Sequence, residues 1–152
     1  MRRRAVSLVL MAGLAAPSGP ASAALSGDAL EALLSGVAAA CRGGGDCASA
    51  LELATAMVAD SGPPGEVLDR QYAALSSMAI GAGPPATAEL ARALRSITAR
   101  LATAEVADAL TEVAASIETE AGLAAAEGRA PRSASVVVAG DAVASVDFAS
   151  AN

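Results

Sequence analysis

The chain has 152 residues, enough for one domain, and carries ten Arg, no Lys, no His and a formal net charge of −6. With one Tyr, one Phe and no Trp, it lacks the basic patches and stacking rings that nucleic acid requires, and its acidity suits it poorly to an anionic membrane surface. Without His or Lys it also lacks the usual bases that activate a serine nucleophile.

Residues 1–23 read as a secretory signal peptide. Arg2, Arg3 and Arg4 make the basic start, and residues 5–16 make an apolar run. Pro17, Gly19 and Pro20 then interrupt it before the small residues Ala21, Ser22 and Ala23. That run of 12 residues is shorter than the ~20 needed to span a bilayer. Cleavage between Ala23 and Ala24 and export to the periplasm or beyond are therefore expected, with no stable membrane insertion afterwards. No Cys follows the small residues to accept a lipid. The remaining chain would hold seven Arg against sixteen Asp and Glu, about −9 by formal counting.

Alanine dominates the rest, which favours helix because Ala loses no side-chain entropy there. It also buries little area per residue, so a thin core with closely spaced helices is expected. A first helix is predicted over residues 28–41, capped by Ser26 or Asp28. Leu30, Leu33, Leu34, Val37 and Cys41 fall on one face of it. Gly43, Gly44 and Gly45 stop it, and Asp46 caps a second helix running to about Asp60. Leu51, Ala54, Met57 and Val58 form the expected buried side of that helix.

Two Gly-Pro-Pro stretches, Gly62-Pro63-Pro64 and Gly83-Pro84-Pro85, punctuate the next segments. Gly ends one helix and Pro begins another, where a missing N–H is harmless. The helices around them do not match, so this is shared punctuation and not a repeat. The third helix is predicted over residues 64–80 on the stripe Leu68, Tyr72, Leu75 and Ala79. Leu90, Leu94, Ile97 and Leu101 mark a fourth, and Val106, Leu110, Val113 and Ile117 mark the next stripe. The five-residue step from Leu101 to Val106 breaks the phase. Two helices, with Thr103 capping the second and Glu105 near its positive end, are favoured over one long helix with a stutter.

Beyond Ser133 the pattern changes. Val136-Val137-Val138 and residues 143–148 are β-favouring and flank Gly140-Asp141, a hairpin signal. Residues 133–152 are expected to form a short β-hairpin or to be disordered, and the helical body is expected to fold without them. The fold class is thus all-α: a small antiparallel helical bundle or helical-hairpin stack of four to five helices over residues 24–132, followed by that tail.

Few residue sets could carry chemistry. Cys41 and Cys47 are the only cysteines. Five residues separate them, and no strand pattern surrounds them, unlike the Cys-x-x-Cys of thiol oxidoreductases. A zinc site needs about four ligands, and neither His nor a third Cys is present. A disulfide across the glycine corner of an exported protein is the expected reading. Glu112, Glu118 and Glu120 are the candidate acid–base carboxylates, but Glu105, Asp108 and Glu112 share one solvated helix face and nothing in the pattern marks a pocket. The three glycines ahead of Asp46 are no P-loop, because no Lys follows. Tyr72 is expected in the core, and Met57 and Met78 as gap fillers. No catalytic, cofactor-binding or metal-binding residue is assigned. The expected function is protein–protein contact, as an exported adaptor, assembly factor or envelope scaffold, through a protein partner or self-association. The alternative is a small-ligand binder or a carboxylate-based helical enzyme.

Overall fold

A computed structural model describes residues 25–140 apart from Gly44 and Pro64. The leader at 1–23 and the second half of the expected hairpin, from Asp141 onward, lie outside the described residues. The described chain is all-helical: α1 (Gly27–Arg42), α2 (Cys47–Asp60), α3 (Gly65–Gly81), α4 (Ala88–Thr98), α5 (Ala104–Glu127) and α6 (Ala134–Gly140).

Caps set the helix starts. The Ser26 hydroxyl accepts from Ala29 N, the Asp46 carboxylate from Ser49 N and the Thr87 hydroxyl from Leu90 N. Each satisfies a backbone donor that the first helical turn leaves unpaired. α5 starts differently. Thr103 stands at its cap position but makes no side-chain capping bond to its own helix. Asp69 of α3 instead accepts from the backbone N–H groups of Ala102 and Thr103, just ahead of α5, and from the Thr103 hydroxyl. The predicted break between two helices is real and falls at residues 99–103.

The core follows the predicted stripes. Leu51, Ala54 and Val58 of α2 meet Tyr72, Leu75 and Ala79 of α3, and α4 lays Leu90, Leu94 and Ile97 against Leu110, Val113, Ala114 and Ile117 of α5. Buried alanines such as Ala91, Ala93 and Ala114 let neighbouring helix backbones approach closely. α3 is covered from several sides, packing on α1, α2 and α6. Its buried set accordingly includes Asp69, Gln71 and Ser76 beside the apolar stripe.

Residues 133–140 depart from the expected hairpin. Val136, Val137 and Val138 lie in helix α6, and only an isolated antiparallel bridge, Pro85 to Ser133, resembles β structure among the described residues. Helical spacing explains the change. Ala134, Val137 and Val138 share one face, with Ala134 and Val137 buried and Val138 packed against the core, while Val136 is 56 % exposed. A strand would have put Val136 and Val138 on the same face, so tertiary burial overrides β propensity here. Backbone bonds moor the segment: Ala134 N donates to Pro84 O at 2.7 Å and Ala86 N to Arg132 O at 2.8 Å. Gly83 makes room, since its φ of 73° is left-handed and a Cβ there would stand 3.1 Å from Ser133 Oγ. The expected tail thus begins inside the helical core and not beside it.

Candidate functional site

The chain reverses sharply between α1 and α2. Cys41 ends the buried stripe of α1 and Cys47 opens α2, both buried. Their sulfurs are 2.05 Å apart and their Cα atoms 4.4 Å apart, disulfide distance. The short corner between them folds α2 back along α1.

That hairpin carries an apolar groove. It has a volume of about 240 Å³ and is lined only by apolar residues, among them Leu33, Gly36 and Val37 from α1 and Ala50, Leu53 and Met57 from α2. Leu53 is 64 % exposed and Met57 46 % exposed. Met57 is therefore not the buried gap filler expected of it, and Leu53 carried no sequence signal. The buried α2 residues step through Leu51, Ala54 and Val58. Leu53 and Met57 sit off that line, four residues apart, and form an apolar edge of their own. Met78 is also exposed, beside a second depression of about 430 Å³ between the ends of α1 and α3 that includes Arg42. A third, of about 270 Å³, lies where the starts of α2 and α4 meet near Cys47, Pro84 and Leu90.

The carboxylates divide into exposed and committed. Glu105, Asp108, Glu112 and Glu118 are exposed, and Glu118 pairs with Arg95 across α4 and α5. Glu120, one of the candidate acid–base carboxylates, is 1 % exposed. Its Oε1 accepts from Arg129 Nη1 at 2.6 Å and Arg132 N at 2.9 Å, and its Oε2 from Arg132 Nε at 2.9 Å and Nη2 at 2.8 Å. The Arg129 hydrogen bond, followed by those from the Arg132 side chain and backbone, holds the Glu120 carboxyl far below the usual carboxylate range, against a weaker opposing effect of burial. Gly128 makes this possible. Its left-handed φ of 65° ends α5 and turns the chain so that both arginines come back over Glu120.

Asp69 is the second committed carboxylate, 5 % exposed on α3. It accepts from Ala102 N at 3.1 Å, Thr103 N at 2.8 Å and Thr103 Oγ1 at 2.6 Å. Burial pushes its pKa up, but the Thr103 hydroxyl and the two backbone donors together outweigh that and leave it lowered. Both carboxylates therefore act as ionised hydrogen-bond hubs that join separate elements.

Sequence reasoning named Glu120 only as a candidate acid–base carboxylate and missed Asp69, although a signal for burial existed in both. Glu120 continues the phase of Val113 and Ile117 towards Ala124, all buried. Asp69 stands three residues before Tyr72, with Ser76 and Ala79 following in the same phase. The structure does not bring Glu112, Glu118 and Glu120 into one site, since only Glu120 points inward. Among the described residues no group of three or more His, Cys, Asp or Glu stands where it could hold a metal ion. Among them too, no helix is long and apolar enough to cross a membrane.

No protein-family model matches the chain, and no curated protein or solved structure matches it.

Proposed function

We propose that this is an exported, non-enzymatic helical protein that works by contact with another protein, as an adaptor, assembly factor or envelope scaffold in the periplasm or beyond. The observation that carries the reading is the α1–α2 groove, with two large apolar side chains standing in solvent at its edge. Contact surfaces on soluble domains are marked by such clustered apolar exposure, and helix-in-groove docking is a common way to cover it. Export rests on the leader pattern, with cleavage between Ala23 and Ala24, and it agrees with a cysteine pair at disulfide distance. Intact mass of the protein recovered from the envelope should show loss of residues 1–23.

The contact reading is tested by placing a photo-crosslinking residue at Leu53 in the exporting cell, with Glu112 on the solvated face of α5 as the control position. A discrete protein adduct is expected from position 53 and not from position 112. Adducts at neither position, or equally at both, would sink the reading.

A further inference from the structure

Three features decide what kind of partner the α1–α2 groove fits. The first is size. At about 240 Å³ the groove is smaller than the ~300–1,000 Å³ of typical small-molecule sites. It is formed at the junction of two helices, where the lining residues Val37 and Ala54 are buried and Leu53 and Met57 stand exposed. A Cβ added at Gly36 would meet nothing within 4 Å, so the surface is open above that residue. This shape takes a row of side chains from a helix better than it takes an enclosed ligand.

The second feature is charge. Asp28 lies four residues before Ala32 and eight before Gly36, so it continues their stripe along α1. Asp60 lies three residues after Met57 and seven after Leu53, and continues theirs along α2. Because the Cys41–Cys47 corner folds α2 back on α1, the start of one helix and the end of the other share an end of the hairpin. Asp28 and Asp60, both exposed, therefore stand at that same end of the groove. Between Leu25 and Asp69 the chain has one basic residue, Arg42, against seven carboxylates. Arg42 sits at the opposite end, by the corner, with its Nε donating to Ala38 O.

The third feature is symmetry. A two-fold axis along the groove would lay acidic end against acidic end, and one across it would bring only Arg42, which lines the α1–α3 depression, towards each acidic end, so a second copy supplies little of the complementary charge. We propose that the groove receives an amphipathic helix of a different protein, with apolar side chains at three- and four-residue steps and Lys or Arg clustered at the end that meets Asp28 and Asp60. This rests on the contact reading above and adds the chemistry of the partner.

The test is calorimetric titration of the exported protein with a designed helical peptide carrying leucines at those steps and three arginines at one end. A counterpart with glutamates in place of the arginines serves as the comparison. The arginine peptide is expected to bind one to one, and the glutamate peptide about tenfold more weakly or worse. Leu53→Glu is the decisive variant, and Leu53 is exposed enough for the fold to tolerate it. It adds negative charge, so binding by charge alone would strengthen, whereas binding that needs the apolar edge should weaken by about tenfold or more. Asp28→Asn with Asp60→Asn should weaken binding and flatten its salt dependence. The proposal is overturned if the arginine peptide does not bind, if Leu53→Glu leaves its affinity intact, or if the glutamate peptide binds as tightly. Sedimentation showing a dimer that Leu53→Glu dissolves would give the face to a second copy instead. A crosslinked partner at Leu53 that has no basic amphipathic helix would refute this chemistry while leaving the contact reading in place.

Discussion

Glu120 shows how much one buried charge is asked to do. It belongs to α5, while its donors come from the connector to α6, so a single carboxylate ties the end of the longest helix to the segment that closes the core. Glu120 is the buried member of this cluster, since the Arg129 and Arg132 side chains are 36 % and 58 % exposed, so neutralising it costs the charge-assisted hydrogen bonds to both arginines. Glu120→Gln keeps the shape and removes the charge. At neutral pH its melting temperature should fall by about 5 °C or more. The pH dependence has a definite sign. The folded-state pKa lies below the ordinary value of 4.5, so the stabilisation is complete above that pH and is lost as pH falls below it. The gap between wild type and Glu120→Gln should therefore be full at neutral pH and close in acid. Melts across that range check it, and a gap independent of pH would show that the carboxylate charge is not what matters. The stripes of apolar residues were legible from spacing alone because burial repeats with the helical period. Glu120 and Asp69 were not. Spacing puts them on or beside buried faces, but their polarity argued for solvent, and Asp69 finds its donors 33 and 34 residues along the chain. No local pattern encodes a contact that distant.

At the scale of elements, the two surprises share a cause. Val136 to Val138 look like a strand and Met57 looks like core, because type and propensity were read without knowing which neighbours would be present. Once the Pro84–Ser133 region pins the start of α6, the helical phase buries Ala134 and Val137 together. Substitutions distinguish this from a strand. Val137→Asp, at a position 3 % exposed, should destabilise by more than about 2 kcal/mol. Val136→Asp, at a position 56 % exposed, should stay within about 0.5 kcal/mol of wild type. Truncation after Arg132 should likewise lower the urea midpoint, by a stability loss of about 2–4 kcal/mol from the buried apolar area and the lost backbone bonds. This reverses the sequence-based expectation that the body is indifferent to its tail. An unchanged midpoint would restore that expectation. The Cys41–Cys47 corner is the opposite case, since its glycines and spacing announced it. Its closed loop is so short that the chain-entropy model gives it only about 2 kcal/mol, so the double Cys→Ser variant should fold and melt earlier. Thiol labelling of freshly isolated protein without reductant should find both cysteines blocked.

Taken whole, the molecule spends its unusual side chains on holding itself together, which bears on whether it could be an enzyme. General acid–base catalysis by a carboxylate near neutral pH requires a raised pKa, so that the acid form is available at the working pH. Burial is the usual means, and among the described residues Glu120 and Asp69 are the buried carboxylates. In both, the donors win over burial and the pKa moves the other way. Each group is thereby fixed as an anion, with four donors on Glu120 and three on Asp69. The chain offers no His or Lys to serve as a base in their place, and its arginines stay protonated. The purified protein should accordingly show no hydrolysis or group transfer against a panel of ester, peptide, phosphate and glycoside substrates, with or without added divalent metal. A turnover that persists through purification and vanishes in a single Asp or Glu variant that still folds would overturn this. Loss of turnover in Glu120→Gln would not suffice unless melting showed the variant folded under the assay conditions, because that residue also holds α5 to the connector ahead of α6. A substitution at an exposed carboxylate such as Glu112, where folding is not at stake, would be the stronger evidence against the contact reading.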